Sequence, residues 1–498
     1  MSENPDFNGL KSQLTFTLLL SAVIATLTSL QFGYHTGELN TPSAILLNCP
    51  VERVGKEVPP FFESCFNLSQ FAFSLVTAIF PLGGVLGSVL GAQAMEKFGR
   101  KGALLYNNAF LLSGSIAITF SQNALTMFTG RLLVGIAAGI GLVVLPVYLN
   151  EISPQTLKGL IGMLNQIGIV SGIILSQVFG ILFSSEKYWR YIFMVNIFVS
   201  GVQLLLFSRA PESPVYLLTK PNGYIEAEKS LKYLRASGNV DEELSDLQNL
   251  NNNPEGYQSL ETPQNTVTTE QSLSVKELLS SSYHFPSLVM IMFVHFTQQA
   301  SGINAIMYFS TDILTPAFPS TAKYITLLIN VVQLIVALVS APYVDKLGRR
   351  SLLIASGVLM TVSNILFGLA SNAESPYLSA LTIFCATGTF SLGLGPLPFI
   401  LLPEMFDTPS VSSASTLALP TNLFFNFLVG LVFLPLKTLL GGENNTYSGN
   451  VFILFGIMLG GCIYVIYKIL PETKSQSATT NMKELQANYN QFFRLARS

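Results

Sequence analysis

Apolar runs of about twenty residues recur along the whole chain, parted by short polar stretches. An α-helix rises about 1.5 Å per residue, so a run of that length crosses the roughly 30 Å hydrocarbon core of a bilayer. The pattern predicts twelve spans, over residues 14–36, 70–94, 102–120, 127–149, 159–183, 190–208, 286–309, 323–343, 351–370, 377–402, 414–438 and 451–470. The first run reads as a retained helix rather than a cleaved signal. The tenth contains Gly393-Leu394-Gly395-Pro396-Leu397-Pro398-Phe399. Proline within a helix lacks an N–H and clashes with the preceding turn, so two prolines beside two glycines predict a bend there, with Phe399 beside it to cover a ligand. The fold class is an all-α polytopic membrane protein.

The pattern repeats at half-length. Glu96-Lys97-Phe98-Gly99-Arg100-Lys101 follows the second span, and Asp345-Lys346-Leu347-Gly348-Arg349-Arg350 follows the eighth. Glu151 and Glu404 end the fourth and tenth spans, while Pro211-Glu212-Ser213 and Pro471-Glu472-Thr473 follow the sixth and twelfth. The members of each pair lie about 250–260 residues apart, the plan of a transporter built from two six-helix halves with its substrate between them. The expected organisation is an N-terminal half (1–210), a linker with short helices (211–285), a C-terminal half (286–475) and a tail (476–498).

The seventh span carries Gln298-Gln299-Ala300-Ser301-Gly302-Ile303-Asn304 and continues to Tyr308. Amides are costly in hydrocarbon unless they are hydrogen-bonded. On one continuous helix His295, Gln299 and Gly302 would share a face, with Gln298 beside it. Such a face points into the bundle, where it serves as helix–helix glue or as a site that both donates and accepts, suited to a ligand made of hydroxyls. Further polar residues stand in apolar runs: Gln166 in the fifth span, Asn330 in the eighth, Asn422 and Asn426 in the eleventh. The first span holds His35, one of three histidines, which either couples protons or binds substrate, or else is neutral and hydrogen-bonded at a cavity wall. Glu38 is expected near water at the outer mouth, and Gly130-Arg131 opens the fourth span on that side. The second span presents Gly83, Gly84, Gly87 and Gly91, a small-residue face for close helix approach.

Composition narrows the function. Of 498 residues, 50% are hydrophobic and 11% charged, against about 25% charged in soluble proteins. The net charge of −2 gives no reason to expect nucleic acid as a partner. The partners expected are the lipid bilayer and a small hydroxylated solute, with protons as a further candidate. No nucleotide loop, zinc spacing or catalytic triad occurs, so no enzyme, cofactor or metal is expected. Roughly 19 of the 26 Lys and Arg lie in the even–odd loops, the linker and the ends, which predicts cytoplasmic termini. Cys49 and Cys65 then share an oxidising outer loop, where they form a disulfide or stay as free thiols. In the linker, residues 225–236 read as an amphipathic helix and 251–271 as mobile chain.

Together the ordered motifs — the Gln298 to Asn304 stretch, Gly130-Arg131, the two Gly-Arg loops, Pro211-Glu212-Ser213-Pro214 and Pro471-Glu472-Thr473 — resemble the sugar porter family of the major facilitator superfamily over nearly the whole chain. The chain looks most similar to facilitative glucose transporters and to short-tailed fungal members, which implies the plasma or the vacuolar membrane. The resemblance implies hexose contacts at Gln166, Gln298, Gln299, Asn304, Asn330 and Asn422, and outer-gate aromatics at Tyr308 and Phe309. It also implies an inner ion-pair gate made of Glu96, Arg100, Glu151, Lys158, Asp345, Arg349 and Glu404. The chain departs from the family pattern at several positions. His35 replaces the Asn of facilitators and the Asp of symporters; Phe399 and Leu423 replace tryptophans; Ser391 replaces a Glu; Val215 and Val411 replace arginines. The expected function is hexose transport by alternating access, facilitative because no acid stands at the His35 position. The alternatives are a proton symporter using His35 and a transporter-like sensor or trafficking protein.

Overall fold

A computed structural model describes residues 14–47, 68–154, 157–221, 223–236, 240–252, 275–442, 447–474 and 476–495. Cys49 and Cys65 lie outside the described residues, as does most of the 251–271 segment. Helix α1 (Phe16–Gly37) is capped by Thr15, whose hydroxyl accepts from the Leu18 N–H. After a short α2 (Ser43–Leu47), Ser69 caps α3 (Gln70–Thr119), and an Asn123–Thr126 capping box starts α4 (Ala124–Ile152). Helices α5 (Lys158–Phe183) and α6 (Arg190–Phe207) complete the first six spans. The chain then forms α7 (Pro214–Leu218), α8 (Tyr224–Arg235), α9 (Asp241–Asn252) and α10 (Val275–Ser280). The remaining helices are α11 (Phe285–Ala300), α12 (Ile303–Leu314), α13 (Ala322–Leu347), α14 (Arg349–Asn372), α15 (Pro376–Leu392), α16 (Leu397–Glu404), α17 (Thr408–Gly441), α18 (Asn450–Ile469) and α19 (Ala478–Leu495).

Among the described residues ten helical stretches are long and apolar enough to cross a membrane. One of them, the 50-residue α3, turns at Gly99 and supplies both the second and third spans. The seventh span is divided into α11 and α12, each short for a crossing. Counting α3 twice and this pair once gives twelve crossings. The expectation of one continuous seventh helix is corrected here. Gly302 has a φ of 75°, and a Cβ there would stand 2.5 Å from the Phe455 ring, so only glycine fits and the helix breaks at it. The bend expected in the tenth span is present between α15 and α16.

Close packing follows the small residues. The Cβ of a side chain at Gly87 or Gly139 would overlap backbone of the facing helix, α4 or α3 respectively. Dispersion between backbones then replaces the hydrophobic drive that lipid does not supply. The first and last six spans meet where α3 packs on α17, α5 on α13 and α1 on α12. Leu423 of α17 is buried and packs on Gly84 of α3.

The half-length repeat is visible in the loops. Gly99 and Gly348 both have positive φ, 79° and 86°, and lie against the carboxylates of Glu212 and Glu472. The amphipathic helix expected at 225–236 is α8; it buries Ala227, Leu231 and Leu234, the first two in a small core with Leu217, Val240 and Leu244. Arg235 holds this unit to α4 through the Ile152 carbonyl at 2.9 Å and grips Glu243 at 2.6 Å. The tail forms α19, which buries Met482 and Leu485 and donates from Asn481 to the Glu404 carbonyl at 2.9 Å.

Gly139→Val is expected to cost roughly 1–3 kcal/mol or more by overpacking and to lower the apparent Tm. Gly201→Ala, where nothing lies within 4 Å, should leave it unchanged. Scanning fluorimetry in detergent distinguishes the two; equal Tm values would contradict the close α3–α4 contact.

Candidate functional site

The last turn of α11, before the break in the seventh span, reaches the break in the tenth. At the second break, the carbonyls of Leu394 and Gly395 lack their usual helical donors. Gln298 of α11 supplies them, its Nε2 donating to both at 2.8 Å. Backbone carbonyls only accept, so this contact fixes which way the Gln298 amide points. Its Oε1 then accepts from Asn422 Nδ2 at 2.6 Å. Asn422 Oδ1 accepts from Gln299 Nε2 at 3.0 Å, and Gln299 Oε1 accepts from Asn304 Nδ2. The turn at Gly302 brings Asn304, the first polar side chain of α12, back onto Gln299. Asn422 Nδ2 also lies 3.1 Å from His295 Nδ1, and the His295 ring meets Phe399 edge to face at 5.2 Å. Gln298, Gln299 and Asn422 are buried, Asn304 is half-buried, and Phe399 is 44% exposed. This arrangement can exchange amide–amide hydrogen bonds for bonds to a hydroxylated ligand without leaving a polar group stranded.

Not all the expected residues join this set. Asn330 donates to the Thr326 carbonyl of its own helix at 2.9 Å, and its Oδ1 is buried without a partner among the described residues. Gln166, expected to be deep in the cavity, is exposed on α5 in the other half. Its neighbour Asn165 is half-buried and accepts from Ser29 beside a small cavity between α1, α4 and α5.

A second cluster lies inside the first half. Glu38 is not at a watery mouth, as expected from its place after the first span; it is 1% exposed. The reason is Arg131, which reaches from α4 to Glu38 Oε1 at 2.8 Å and to the His35 carbonyl at 2.7 Å. His35 Nδ1 lies 2.9 Å from the same carboxylate oxygen, and Asn196 Nδ2 lies 3.3 Å from the other. Phe80 offers its face to the guanidinium at 4.7 Å. Removing one member of such a buried set typically costs about 3–5 kcal/mol, because the remaining charge is stranded.

The same end of the bundle is latched between the halves. Asn40 donates to the Met307 carbonyl at 3.1 Å and to Ser310 at 2.7 Å, and accepts from the Thr311 N–H at 3.0 Å. Ser43 donates to Asp312 at 3.0 Å. Phe309 meets Phe73 of α3 at 6.2 Å, and Tyr308 donates to Asn426 at 3.0 Å.

At the end carrying the Gly-Arg loops, the ion pairs described stay within one half. Arg100 meets Glu151 at 2.7 Å, and Glu151 also accepts from Ser213. Arg349 meets Glu404 at 2.9 Å, and Glu404 accepts from Thr473 at 2.5 Å. Glu212 and Glu472 accept from the loop N–H groups of Arg100 and Arg349, at 3.0 and 2.7 Å, and so fold each loop onto its own half. Burial lowers the Lys158 ammonium from its usual value, and the nearby Glu151 opposes that. Glu96 is exposed, and the Asp345 side chain lies outside the described residues.

Residues 21–483 match the family model described as "Sugar (and other) transporter". The chain is 31% identical to the facilitated glucose transporter member 4 of solute carrier family 2 from Bos taurus, over 94% of this chain and 90% of that protein. It is 29% identical to the vacuolar protein sorting-associated protein 73 of Saccharomyces cerevisiae, over 93% of this chain and 95% of that one. The xylose transporter XylE from E. coli, in a partially occluded inward-open conformation, superposes with a TM-score of 0.72 at 18% identity, covering 91% of this chain and 100% of that one. That likeness establishes the major facilitator fold.

Gln298→Leu is expected to strand the Leu394 and Gly395 carbonyls, at a cost of about 1–3 kcal/mol, and to lower the Tm by about 1–3 °C. Gln299→Leu, whose partners are side-chain amides that can re-pair with each other, should lower it less. The reverse order in a thermal scan would contradict the role given to Gln298.

Proposed function

This chain belongs to the sugar transporter family, and from that premise we propose that it carries a hexose-type sugar across a membrane by alternating access of its two halves. The observation that carries the reading is the amide set Gln298, Gln299, Asn304 and Asn422, hydrogen-bonded where two broken helices meet. A hexose hydroxyl both donates and accepts, as each of these amides does, so the sugar can replace their mutual bonds without covalent chemistry. Phe399 offers an apolar face to a pyranose ring. Gln166 and Asn330 complete the site from α5 and α13 when the halves close on the sugar.

The transport is facilitative in this reading, since no acid stands at the His35 position. A second reading, proton-coupled transport, is favoured by the burial of Glu38 against His35 and Arg131, because an ionisable group held inside a membrane domain is a natural carrier of a proton. The latch of Asn40 and Ser43 on α12 is the outer gate, and the Arg100–Glu151 and Arg349–Glu404 pairs brace the inner ends. Both termini face the cytoplasm. The likeness to a glucose carrier and to a protein named for vacuolar sorting supports the plasma or the vacuolar membrane.

The test is uptake of labelled D-glucose into proteoliposomes, with and without an imposed proton gradient. Wild-type protein should equilibrate the sugar, and Gln299→Ala should lower the initial rate roughly tenfold or more. Uptake indifferent to the gradient supports the facilitator. Accumulation driven by the gradient, and lost in folded Glu38→Gln or His35→Asn, supports the symporter. No uptake of any hexose by folded protein sinks the transport reading in favour of a sensor or trafficking protein.

A further inference from the structure

We propose that Asp312 is a proton-binding switch in the latch between the halves: protonated, it bonds Ser43 and holds the halves together; ionised, it turns to Lys437 of its own half and lets them part. The inference rests on the alternating-access reading above, in which this end of the bundle opens and closes. The count of hydrogens at Ser43 carries it. The buried Ser43 oxygen lies 2.8 Å from the Asn40 carbonyl and 3.0 Å from Asp312 Oδ1. A serine hydroxyl has one hydrogen, while a carbonyl and an ionised carboxylate only accept. With Asp312 ionised, two acceptors compete for that hydrogen, and the neighbouring donors are already used. Both hydrogens of Asn40 Nδ2 go to the Met307 carbonyl and to Ser310, and the Thr311 N–H goes to Asn40 Oδ1. With Asp312 protonated the count closes. Its O–H donates to the Ser43 oxygen, and Ser43 gives its own hydrogen to the Asn40 carbonyl.

The ionised acid has a different partner. Helix α12 packs against α1, α11, α13, α15 and α17. Lys437 of α17 is the charged group that faces the carboxylate. On α1, Glu38 is held by Arg131 and His35; on α13, Lys323 lies over the Tyr324 ring; on α11, His295 lies against Asn422; on α15, Tyr377 is exposed. Asp312 and Lys437 belong to the last six spans, and Ser43 to the first six. Loss of the proton therefore exchanges a hydrogen bond between the halves for an attraction within one of them. The two forms of one carboxyl group thus favour two arrangements of the bundle, which is what a switch requires.

The test is the distance between the halves at this end, read by electron–electron resonance on purified protein in proteoliposomes. Spin labels are carried by genetically encoded ketone residues at the exposed positions Gln122 and Ala373, so the native cysteines stay. The pH is varied from about 4 to about 8, equal on both sides of the membrane. Wild type should pass from a short separation in acid to a longer one as the pH rises. Asp312→Asn, whose amide donates to Ser43 as the neutral acid does, should stay short throughout. Ser43→Ala removes the partner of the protonated form and should lower the midpoint by about one pH unit; Lys437→Met removes the partner of the ionised form and should raise it by about as much. These opposite shifts decide the matter even if Asp312→Asn fails to fold. A wild-type distance that ignores pH would overturn the proposal, as would shifts in the same direction. So would a response kept in Asp312→Asn and lost in Glu38→Gln, which would belong to the other cluster. Uptake of labelled D-glucose by the same proteoliposomes tests the underlying reading separately: no uptake of any hexose, beside a distance that titrates as described, would overturn sugar transport and leave the switch.

Discussion

A helix that breaks inside a bilayer frees backbone groups that lipid cannot satisfy, and the central region of this molecule is organised by that constraint. The tenth span breaks because Pro396 and Pro398 cannot continue it, exposing the Leu394 and Gly395 carbonyls. Gln298 answers them from the seventh span, and its own orientation then dictates those of Asn422, Gln299 and Asn304. The proposed binding site and the structural repair are one hydrogen-bonded object. This is why the amides are at once buried, satisfied by each other and able to change partners.

The first half answers a different constraint. A carboxylate and a guanidinium in an apolar core each require the other, and Glu38 and Arg131 meet with His35 as a third member. The two clusters do not touch through any bond described, but the latch from Asn40 to α12 joins the elements that carry them: α1 runs into Glu38 and Asn40, while α12 begins at the break beside Asn304. A change at α12 can thus reach both.

Much of this architecture was legible in the sequence. The twelve crossings follow from run length, and the bend of the tenth span from its prolines. The half-length repeat in the motifs reappears as Gly99 on Glu212 and Gly348 on Glu472. Three features were not legible. Glycine in an apolar pattern is compatible with a helix, so nothing local shows that Phe455 excludes any Cβ at Gly302. Glu38 reads as interfacial because it follows the first run; only the tertiary contact from Arg131 shows it to be interior. Gln166 and Asn165 are adjacent amides, and that Asn165 is the one bonded to Ser29 of a neighbouring helix is something no spacing rule supplies.

The most direct test of the account is an experimental structure of the purified protein with D-glucose bound. The account predicts sugar hydroxyls within hydrogen-bonding distance of Gln299, Asn304 and Asn422, with Gln298 still donating to the Leu394 and Gly395 carbonyls. A sugar bound elsewhere, with the four amides still paired to one another, would contradict it.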